Sequence, residues 1–206
     1  MDNIIHSSDT TREQRLPPGQ VLTRKWPVLH AGETPHYTDL DHEWDLFVFG
    51  EVEDKRRFTW AEFSSWPRVT VHADMHCVTR WSKLDNTWEG VATRELLNRV
   101  TPKPSTKFVT VHCEQGFTTN LPIDDFFGDD CPFALTHNGQ DLEPDHGYPV
   151  RLVVPKLYAW KSAKWVRGIE FMTRDGQGYW ERPEHGGYHM RGDPWAEQRF
   201  RPRGGD

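Results

Sequence analysis

The residue that the sequence places best for chemistry is Cys77, at the end of an alternating stretch. Apolar residues occupy every second position from Val69 to Cys77, and polar residues such as His72 and Asp74 lie between them. This period of two predicts a half-buried β-strand, and the polar residues 79–86 after it predict a loop. A thiol where a rigid strand opens into a loop is held well for work as a metal ligand or nucleophile.

The residues alone leave other roles open for Cys77. Free cysteine is often a small buried hydrophobe. His72 and His76 would share one face of a helix and could bind zinc, with His112 and Cys113 near, but on a strand they stand too far apart to share an ion directly. A cysteine hydrolase would pair the thiol with a histidine and an orienting Asn or Asp, and eleven histidines leave many candidates.

Basic side chains near other predicted strand ends form a second candidate site. Arg151 lies in a strand bounded by prolines, and Lys161 and Lys164 follow it closely. Ammonium and guanidinium groups donate charge-assisted hydrogen bonds to phosphate oxygens, so these three residues could hold a phosphate. A solvated sheet edge guarded by lysines would contain the same residue types.

Length and composition limit the classes of protein to which the chain can belong. Its 206 residues are enough for one domain with a sizeable core. A net charge of −6 without a basic run argues against a nucleic-acid partner. We expect no membrane insertion and a cytoplasmic location, because no apolar run could span a bilayer, the first residues do not resemble a signal peptide, and three widely spaced cysteines fit a reducing compartment.

The predicted elements are short and mixed, which favours a loop-rich β or α+β architecture. Thr59 and Glu62 have the spacing that begins a short helix, and residues 93–100 have a short amphipathic helical pattern. Asn138-Gly139 predicts a tight turn. Further strands are predicted at residues 45–52, 107–113, 149–155 and 164–172. The expected organisation is a flexible tail at 1–15, one domain at 16–199 and a C-terminal tail at 200–206.

Longer motifs resemble one known family, the sulfite-oxidase superfamily of molybdopterin-dependent oxidoreductases. One pair of segments resembles its signature, a second pair its molybdenum-ligand region, and a third segment the tail of its small single-domain bacterial branch. They occur in the family's order. The segments are 147–155 (GYPVRLVVP), 158–166 (YAWKSAKWV), 76–82 (HCVTRWS), 88–91 (WEGV) and 187–199 (GYHMRGDPWAEQR).

The resemblance implies a fold, a cofactor and an activity. The fold would be the α+β sulfite-oxidase fold, with mixed β-sheets, short helices and long loops. The cofactor would be molybdenum with molybdopterin, and by position Cys77 would supply the single protein thiolate to a metal already held by two dithiolene sulfurs, which a soft ligand suits. The activity would be oxygen-atom transfer to or from a small sulfur- or nitrogen-containing substrate, with electrons carried by an unidentified protein partner.

The resemblance also assigns contact residues. His146 and Arg151 are expected to contact the pterin and its phosphate. Cys113 aligns with a position that touches the pterin, although a buried structural thiol fits it equally well. Further cofactor contacts are expected from Arg24, Lys25, Trp26, Ser162, Ala163 and Lys164. The candidate catalytic residues beside Cys77 are Arg80, Tyr188 and His189.

The chain departs from the family pattern in several places. It has no room for the dimerisation and haem domains of true sulfite oxidases, and extra residues displace Tyr188 from the usual spacing, so His185 could stand in its place. The resemblance therefore does not extend to sulfite as the substrate. Periplasmic methionine-sulfoxide reductase subunits share the core but carry an export signal. A molybdopterin-binding protein without turnover and a cofactor-free interaction domain remain alternatives.

Overall fold

A computed structural model describes residues 4–185 and 191–197. In chain order its strands are β1 (Ile4–His6), β2 (Val21–Leu22), β3 (Asp45–Gly50), β4 (Arg56–Thr59), β5 (Arg68–His76), β6 (Trp81–Ala92), β7 (Phe108–Cys113), β8 (Thr118–Pro122), β9 (Pro132–His137), β10 (Gln140–Asp141), β11 (Arg151–Leu152) and β12 (Val166–Met172). The α-helices are α1 (Leu40–Glu43), α2 (Trp60–Ser64) and α3 (Ile123–Phe126). Short 3-10 helices span Ser8–Thr11, Thr93–Asn98, Glu114–Gly116, Pro144–His146, Tyr179–Glu181 and Pro183–His185. None of the described helices is long and apolar enough to cross a membrane.

Two mixed β-sheets organise the described residues. Seven strands form the larger sheet in the order β1-β5-β6-β9-β10, with β2 attached to β6 and β11 attached to β9. Five strands form the smaller sheet in the order β4-β3-β12-β7-β8. Val91 of the larger sheet and Val111 and Ile169 of the smaller sheet belong to one buried apolar cluster. This arrangement confirms the predicted α+β class.

The alternating stretch before Cys77 forms β5, as its pattern predicts. Val71, Ala73 and Met75 are buried in a second apolar cluster, together with the fully buried Trp88 of β6. Strands β5 and β6 are antiparallel neighbours and are joined by the loop that carries Cys77. The longest described strand therefore begins next to the candidate metal ligand.

Three predicted elements differ in the structure. Residues 81–86, predicted as part of the loop after Cys77, form the first half of β6, because they pair with residues 73–76 of β5 and the loop ends at Arg80. Residues 149–155 contain only the two-residue strand β11. Their backbone bonds are divided between a strand and a loop: the Val153 N–H donates to the Pro132 carbonyl of β9, whereas the Leu152 N–H donates to the Ala163 carbonyl in a loop. Residues 93–98 form a 3-10 helix and not an amphipathic α-helix, and the Arg99 N–H ends it with a bond to the Leu96 carbonyl three residues earlier.

The range predicted as a flexible N-terminal tail contains ordered contacts in its described part. Strand β1 pairs in parallel with β5 at Thr70–His72. The Arg15 guanidinium donates two hydrogen bonds, of 2.9 and 2.6 Å, to the buried carboxylate of Asp74. No periodic pattern in residues 1–15 indicates these contacts, because both are made with residues far along the chain. The domain limits at residues 15 and 199 remain a prediction.

A buried ion pair anchors the long loop after β11. The Lys161 ammonium donates to the Glu181 carboxylate at 2.6 Å and to the Asn120 carbonyl and side-chain oxygens, both at 2.8 Å. The Lys161 and Glu181 side chains are only 2% and 0% exposed. This pair ties the loop to β8 and uses Lys161 internally, so Lys161 does not join Arg151 and Lys164 in a phosphate site.

We predict that Lys161→Met lowers the free energy of unfolding by about 3–5 kcal/mol, because it removes the cation that neutralises a buried carboxylate. Urea denaturation of the purified chain measures the loss. Lys103→Met is the matched control, since Lys103 pairs with Glu51 at 3.4 Å on the surface and its removal costs at most about 1 kcal/mol. Equal costs for the two variants would contradict the assignment of a buried pair.

Candidate cofactor site

Cys77 is the first residue after β5 and is fixed by a three-residue loop. Its N–H donates to the Trp81 carbonyl and its carbonyl accepts from the Arg80 N–H, both at 2.9 Å. Arg80 ends the loop with a left-handed φ of 75°, as three-residue hairpin loops require. The pairing of His76 with Ser82, at the end of β5 and the start of β6, therefore determines where the Cys77 side chain projects.

The Cys77 thiol is 7% exposed and accepts a hydrogen bond from the Thr79 hydroxyl at 3.1 Å. Burial raises the pKa of this thiol, which is the wrong direction for a free nucleophile. The adjacent His76 ring bonds through Nδ1 to Ser82 at 2.8 Å instead of bonding to the thiol. The geometry thus disfavours a cysteine hydrolase and suits a sulfur that is deprotonated by binding a metal.

The histidines considered for zinc do not converge. His72 lies 3.4 Å from Asp85, and His112 bonds to Glu170 at 2.8 Å. No group of three or more His, Cys, Asp or Glu side chains within the described part of the chain could hold a metal ion. A metal bound by Cys77 would therefore have to bring most of its other ligands.

A cavity of about 300 Å³ opens beside Cys77. It has aromatic walls, and no Asp or Glu among the described residues lines it. The aromatic lining residues are Trp26, Trp81, Phe117, Tyr158, Trp160, Trp165 and Trp180, and the polar ones are Cys77, Thr79, His30, Arg151, Ser162 and Lys164. Flat aromatic walls and a few convergent polar groups are typical of a site for a planar organic cofactor.

Arg151 contributes a buried positive charge to the cavity. Its side chain donates to the carbonyls of His146 at 2.8 Å and Ser162 at 2.9 Å, while Nε has no hydrogen-bond partner among the described residues. The guanidinium carbon lies 5.1 Å from the centre of the Trp26 ring and 5.4 Å from that of Trp88. Burial lowers the pKa of Arg151 to about 9, so an anion in the cavity would stabilise the charged form of its guanidinium.

Lys164 adds a second cation next to Arg151. Its ammonium donates to the Asp145 carbonyl at 2.5 Å. Burial, and then the charge of Arg151, lower the pKa of Lys164 to about 7. Two close cations on a cavity without acidic lining residues form a preformed binding place for an anionic group such as a phosphate.

The thiol and the guanidinium lie at different places along the larger sheet. Cys77 is hydrogen-bonded to Trp81, at the start of β6. Arg151 pairs with Ala134, which pairs in turn with Gly90, near the end of β6. The strand register therefore separates the Cys77 thiol from the Arg151 guanidinium, while the cavity connects them. An elongated cofactor with a soft metal at one end and a phosphate at the other fits this arrangement.

The structure brings several other predicted residues to the same place. Trp26, Ser162 and Ala163 line the cavity. The His146 ring stacks on Trp26 with centroids 3.8 Å apart and planes within 5°, and its Nδ1 is buried without a hydrogen-bond partner in the described residues. Burial lowers the pKa of His146 to about 4, so the ring is neutral near pH 7.

Other predicted residues lie elsewhere. Arg24 and Lys25 are exposed and do not line the cavity. Arg80 is also exposed, and its Nε donates to the Gly19 carbonyl at 3.1 Å. Cys113 lies in the apolar core, where burial raises the pKa of its thiol. Of residues 24–26, Trp26 therefore lines the cavity and Arg24 and Lys25 do not.

Three further candidates, His185, Tyr188 and His189, come from the C-terminal part of the chain. Tyr188 and His189 lie outside the described residues. His185, considered in place of Tyr188, stacks on Tyr179 with ring centroids 3.9 Å apart and does not line the cavity.

Sequence reasoning missed Thr79, which touches the Cys77 thiol, and most of the aromatic cavity walls. Thr79 lies two positions after Cys77, so its contact with the thiol could have been expected from a tight loop. Phe117 and Trp180 come from distant elements, and no local pattern marks them. Tyr158, Trp160 and Trp165 belong to a motif identified in the sequence. Within that motif, only the small and basic residues Ser162, Ala163 and Lys164 were predicted as cofactor contacts.

Three comparisons relate the chain to known proteins. The family model of the oxidoreductase molybdopterin binding domain matches residues 31–180, more than half of the chain. The chain is 46% identical over 186 residues to the uncharacterized oxidoreductase YuiH of Bacillus subtilis (strain 168), covering 90% of this chain and 92% of that protein. The match to this relative therefore extends over almost the whole of both chains.

More distant relatives are longer. The putative protein-methionine-sulfoxide reductase subunit YedZ1 of Azospira oryzae is 26% identical over 165 residues, covering 80% of this chain and 63% of that protein. The crystal structure of the sulfane dehydrogenase SoxCD of Paracoccus pantotrophus superposes on this chain with a TM-score of 0.63 at 23% identity. The superposition covers 73% of this chain and 43% of the SoxCD chain. The structural likeness confirms the predicted sulfite-oxidase fold. With the family model and the Bacillus relative, these matches identify the chain as a member of the molybdopterin-binding oxidoreductase family.

Proposed function

We propose that the protein binds one molybdenum–molybdopterin cofactor through Cys77 and catalyses oxygen-atom transfer to or from a small sulfur- or nitrogen-containing substrate. The observation that supports this most directly is a single cavity that joins a buried thiol to a buried guanidinium with no acidic lining residue among the described ones. The thiol suits a soft metal, and the cations suit a phosphate.

The side chains of this chain would hold and orient the cofactor. Cys77 would bind the metal as a thiolate, and the Thr79 hydroxyl would donate to its negative sulfur. Arg151 and Lys164 would bind the phosphate, while Trp26 would form a wall against the ring system. The bound cofactor would supply two-electron redox chemistry and an exchangeable oxygen atom.

The remaining parts of the proposal concern the substrate, the partner, the domain and the location. Arg80 is exposed and outside the cavity lining, which supports the inference that sulfite is not the substrate. An electron-transfer protein would restore the resting oxidation state. The catalytic domain would extend over residues 16–199, with His189 and Tyr188 as candidate pocket residues. Three free cysteines among the described residues support a reducing, cytoplasmic location.

We predict that protein purified from a host able to make the cofactor contains about one molybdenum per chain, and that Cys77→Ala reduces metal affinity by at least about 10–100-fold because the only protein ligand is lost. Metal analysis and pterin fluorescence measure both quantities. Cys113→Ala is the matched control, since it removes another buried thiol that does not line the cavity.

The same preparations separate the alternatives. Molybdenum whose oxidation state changes with a donor and an S- or N-oxide acceptor indicates an enzyme. Molybdenum that never changes oxidation state indicates a carrier without turnover. Wild-type protein free of molybdenum and pterin would overturn the proposal in favour of an interaction domain, and equal metal content in the Cys77→Ala and Cys113→Ala variants would overturn the ligand assignment.

A second prediction tests the anion-binding end. In cofactor-free protein the pKa of Lys164 is about 7, below its ordinary value, so the unfolded chain binds more protons than the folded chain between about pH 7 and 10.5. The stability of the wild type should therefore rise with pH through this window by about 1–2 kcal/mol relative to Lys164→Met. Unfolding in urea at pH 7 and pH 10 measures the difference.

Inorganic phosphate provides the complementary arm. At pH 6 it should stabilise the wild type more than Lys164→Met, because the protonated ammonium favours the anion. Lys25→Met is the matched control, since it removes an exposed lysine that does not line the cavity. Identical pH and phosphate responses of Lys164→Met and the wild type would show that Lys164 does not form an anion site.

A further inference from the structure

Residues 17–23, called here the N-terminal strap, lie along the loop that carries Cys77. The Val21 N–H donates to the Arg80 carbonyl, and the Thr23 N–H donates to the Ser82 carbonyl, both at 2.9 Å. In return the Arg80 side chain donates to the Gly19 carbonyl at 3.1 Å. The strap precedes residues 31–180, which match the family model, so that match does not include it.

The Gln20 side chain projects from the strap onto the peptide of Cys77. Its amide nitrogen Nε2 donates to the Cys77 carbonyl at 3.0 Å. The same carbonyl accepts from the Arg80 N–H at 2.9 Å, and the Cys77 N–H donates to Trp81. Both lone pairs of this carbonyl are therefore used, and three hydrogen bonds hold the backbone N–H and C=O groups of Cys77.

The orientation of the Gln20 amide is fixed by a buried hydroxyl. The Ser82 hydroxyl donates to the Gln20 side-chain oxygen at 3.2 Å. That hydroxyl also lies 2.8 Å from His76 Nδ1, and because it has one proton, Nδ1 must carry the hydrogen of the second bond. A flipped amide would place its oxygen against the Cys77 carbonyl oxygen, which is repulsive. The network therefore permits one orientation, with the amide N–H toward Cys77.

The turn before Gln20 explains how it reaches this position. The Gln20 N–H donates to the Pro17 carbonyl at 3.1 Å, closing a turn in which Gly19 has a left-handed φ of 73°. Proline fixes its own φ and glycine accepts the left-handed conformation without strain, so the sequence Pro17-Pro18-Gly19-Gln20 is suited to this turn. The strap thus presents the amide with little loss of conformational freedom.

We propose that Gln20 is a positioning residue for Cys77, and that the strap fixes the direction in which the Cys77 sulfur meets the metal. This inference rests on the proposed function, in which Cys77 is the metal ligand. Residues that hydrogen-bond to a metal-ligand residue orient it, and their loss commonly weakens metal binding about 10–100-fold. Gln20 would act through the peptide of Cys77, without contacting the metal.

The test compares molybdenum-loaded wild type with Gln20→Met, which keeps the length of the side chain but removes its hydrogen bonds to the Cys77 carbonyl and the Ser82 hydroxyl. Gln20→Met should release molybdenum about 10-fold faster and should show shifted g-values in the Mo(V) electron paramagnetic resonance spectrum. Thr23→Val is the matched control. Among the described residues, the Thr23 hydroxyl bonds to the backbone of Lys25 and not to the loop that carries Cys77. Its release rate and spectrum should equal those of the wild type.

A Gln20→Met spectrum and release rate equal to those of the wild type would overturn the proposal. If Gln20→Met does not fold, Ser82→Ala replaces it, since that variant removes the hydroxyl that orients the amide. A spectral shift in Ser82→Ala with a normal unfolding midpoint supports the positioning role. An unchanged spectrum overturns it.

A second readout separates this proposal from the proposed function. If wild-type protein binds no molybdenum, the proposed function fails, and amide hydrogen exchange of the same full-length chain still decides the role of Gln20. Peptides that contain residues 77–82 should exchange about 10-fold faster in Gln20→Met than in Thr23→Val. Equal exchange in the two variants would show that the strap does not hold the Cys77 loop.

Discussion

The antiparallel pairing of β5 with β6 is the constraint on which the candidate site depends. It closes the three-residue loop that holds Cys77, and it supplies the edge along which the N-terminal strap bonds. Through β9 it also sets the position of β11, which carries Arg151. A slip of one residue would turn the side chains of β5 to the opposite face, so the packing of Val71 and Met75 in the core also fixes the site.

The second requirement is an unbalanced charge inside the protein. Burying a guanidinium is costly unless polar groups or an anion compensate it. Two backbone carbonyls and two indole faces compensate Arg151 in part, and the cavity beside it has no carboxylate in its described lining. The site therefore keeps a demand for an anion. Lys161 shows the contrast, because an internal carboxylate satisfies the same kind of buried cation.

The site could be predicted only in part from the sequence. The period of two around Val71 located β5 and the loop position of Cys77. The family resemblance indicated Arg151 and Lys164 by motif, and Trp26 together with Arg24 and Lys25. The same reasoning placed Arg80 in the pocket, whereas the left-handed backbone of Arg80 ends a tight loop whose side chain turns outward to Gly19. It also predicted a flexible tail at residues 1–15. The contacts of β1 and Arg15 were not foreseen, because their partners lie in β5, far along the chain.

The sequence by itself determined the local and family-level features: the alternating strand, the tight turn at Asn138-Gly139, the cysteine at a strand end, and motifs whose order identified the family. Only the tertiary structure decided which of Lys161 and Lys164 faces the cavity, which aromatic side chains form its walls, and that Gln20 reaches the Cys77 peptide. The physical reason is that periodicity and turn chemistry act over a few residues, whereas charge pairing and cavity shape depend on residues that folding brings together from distant positions.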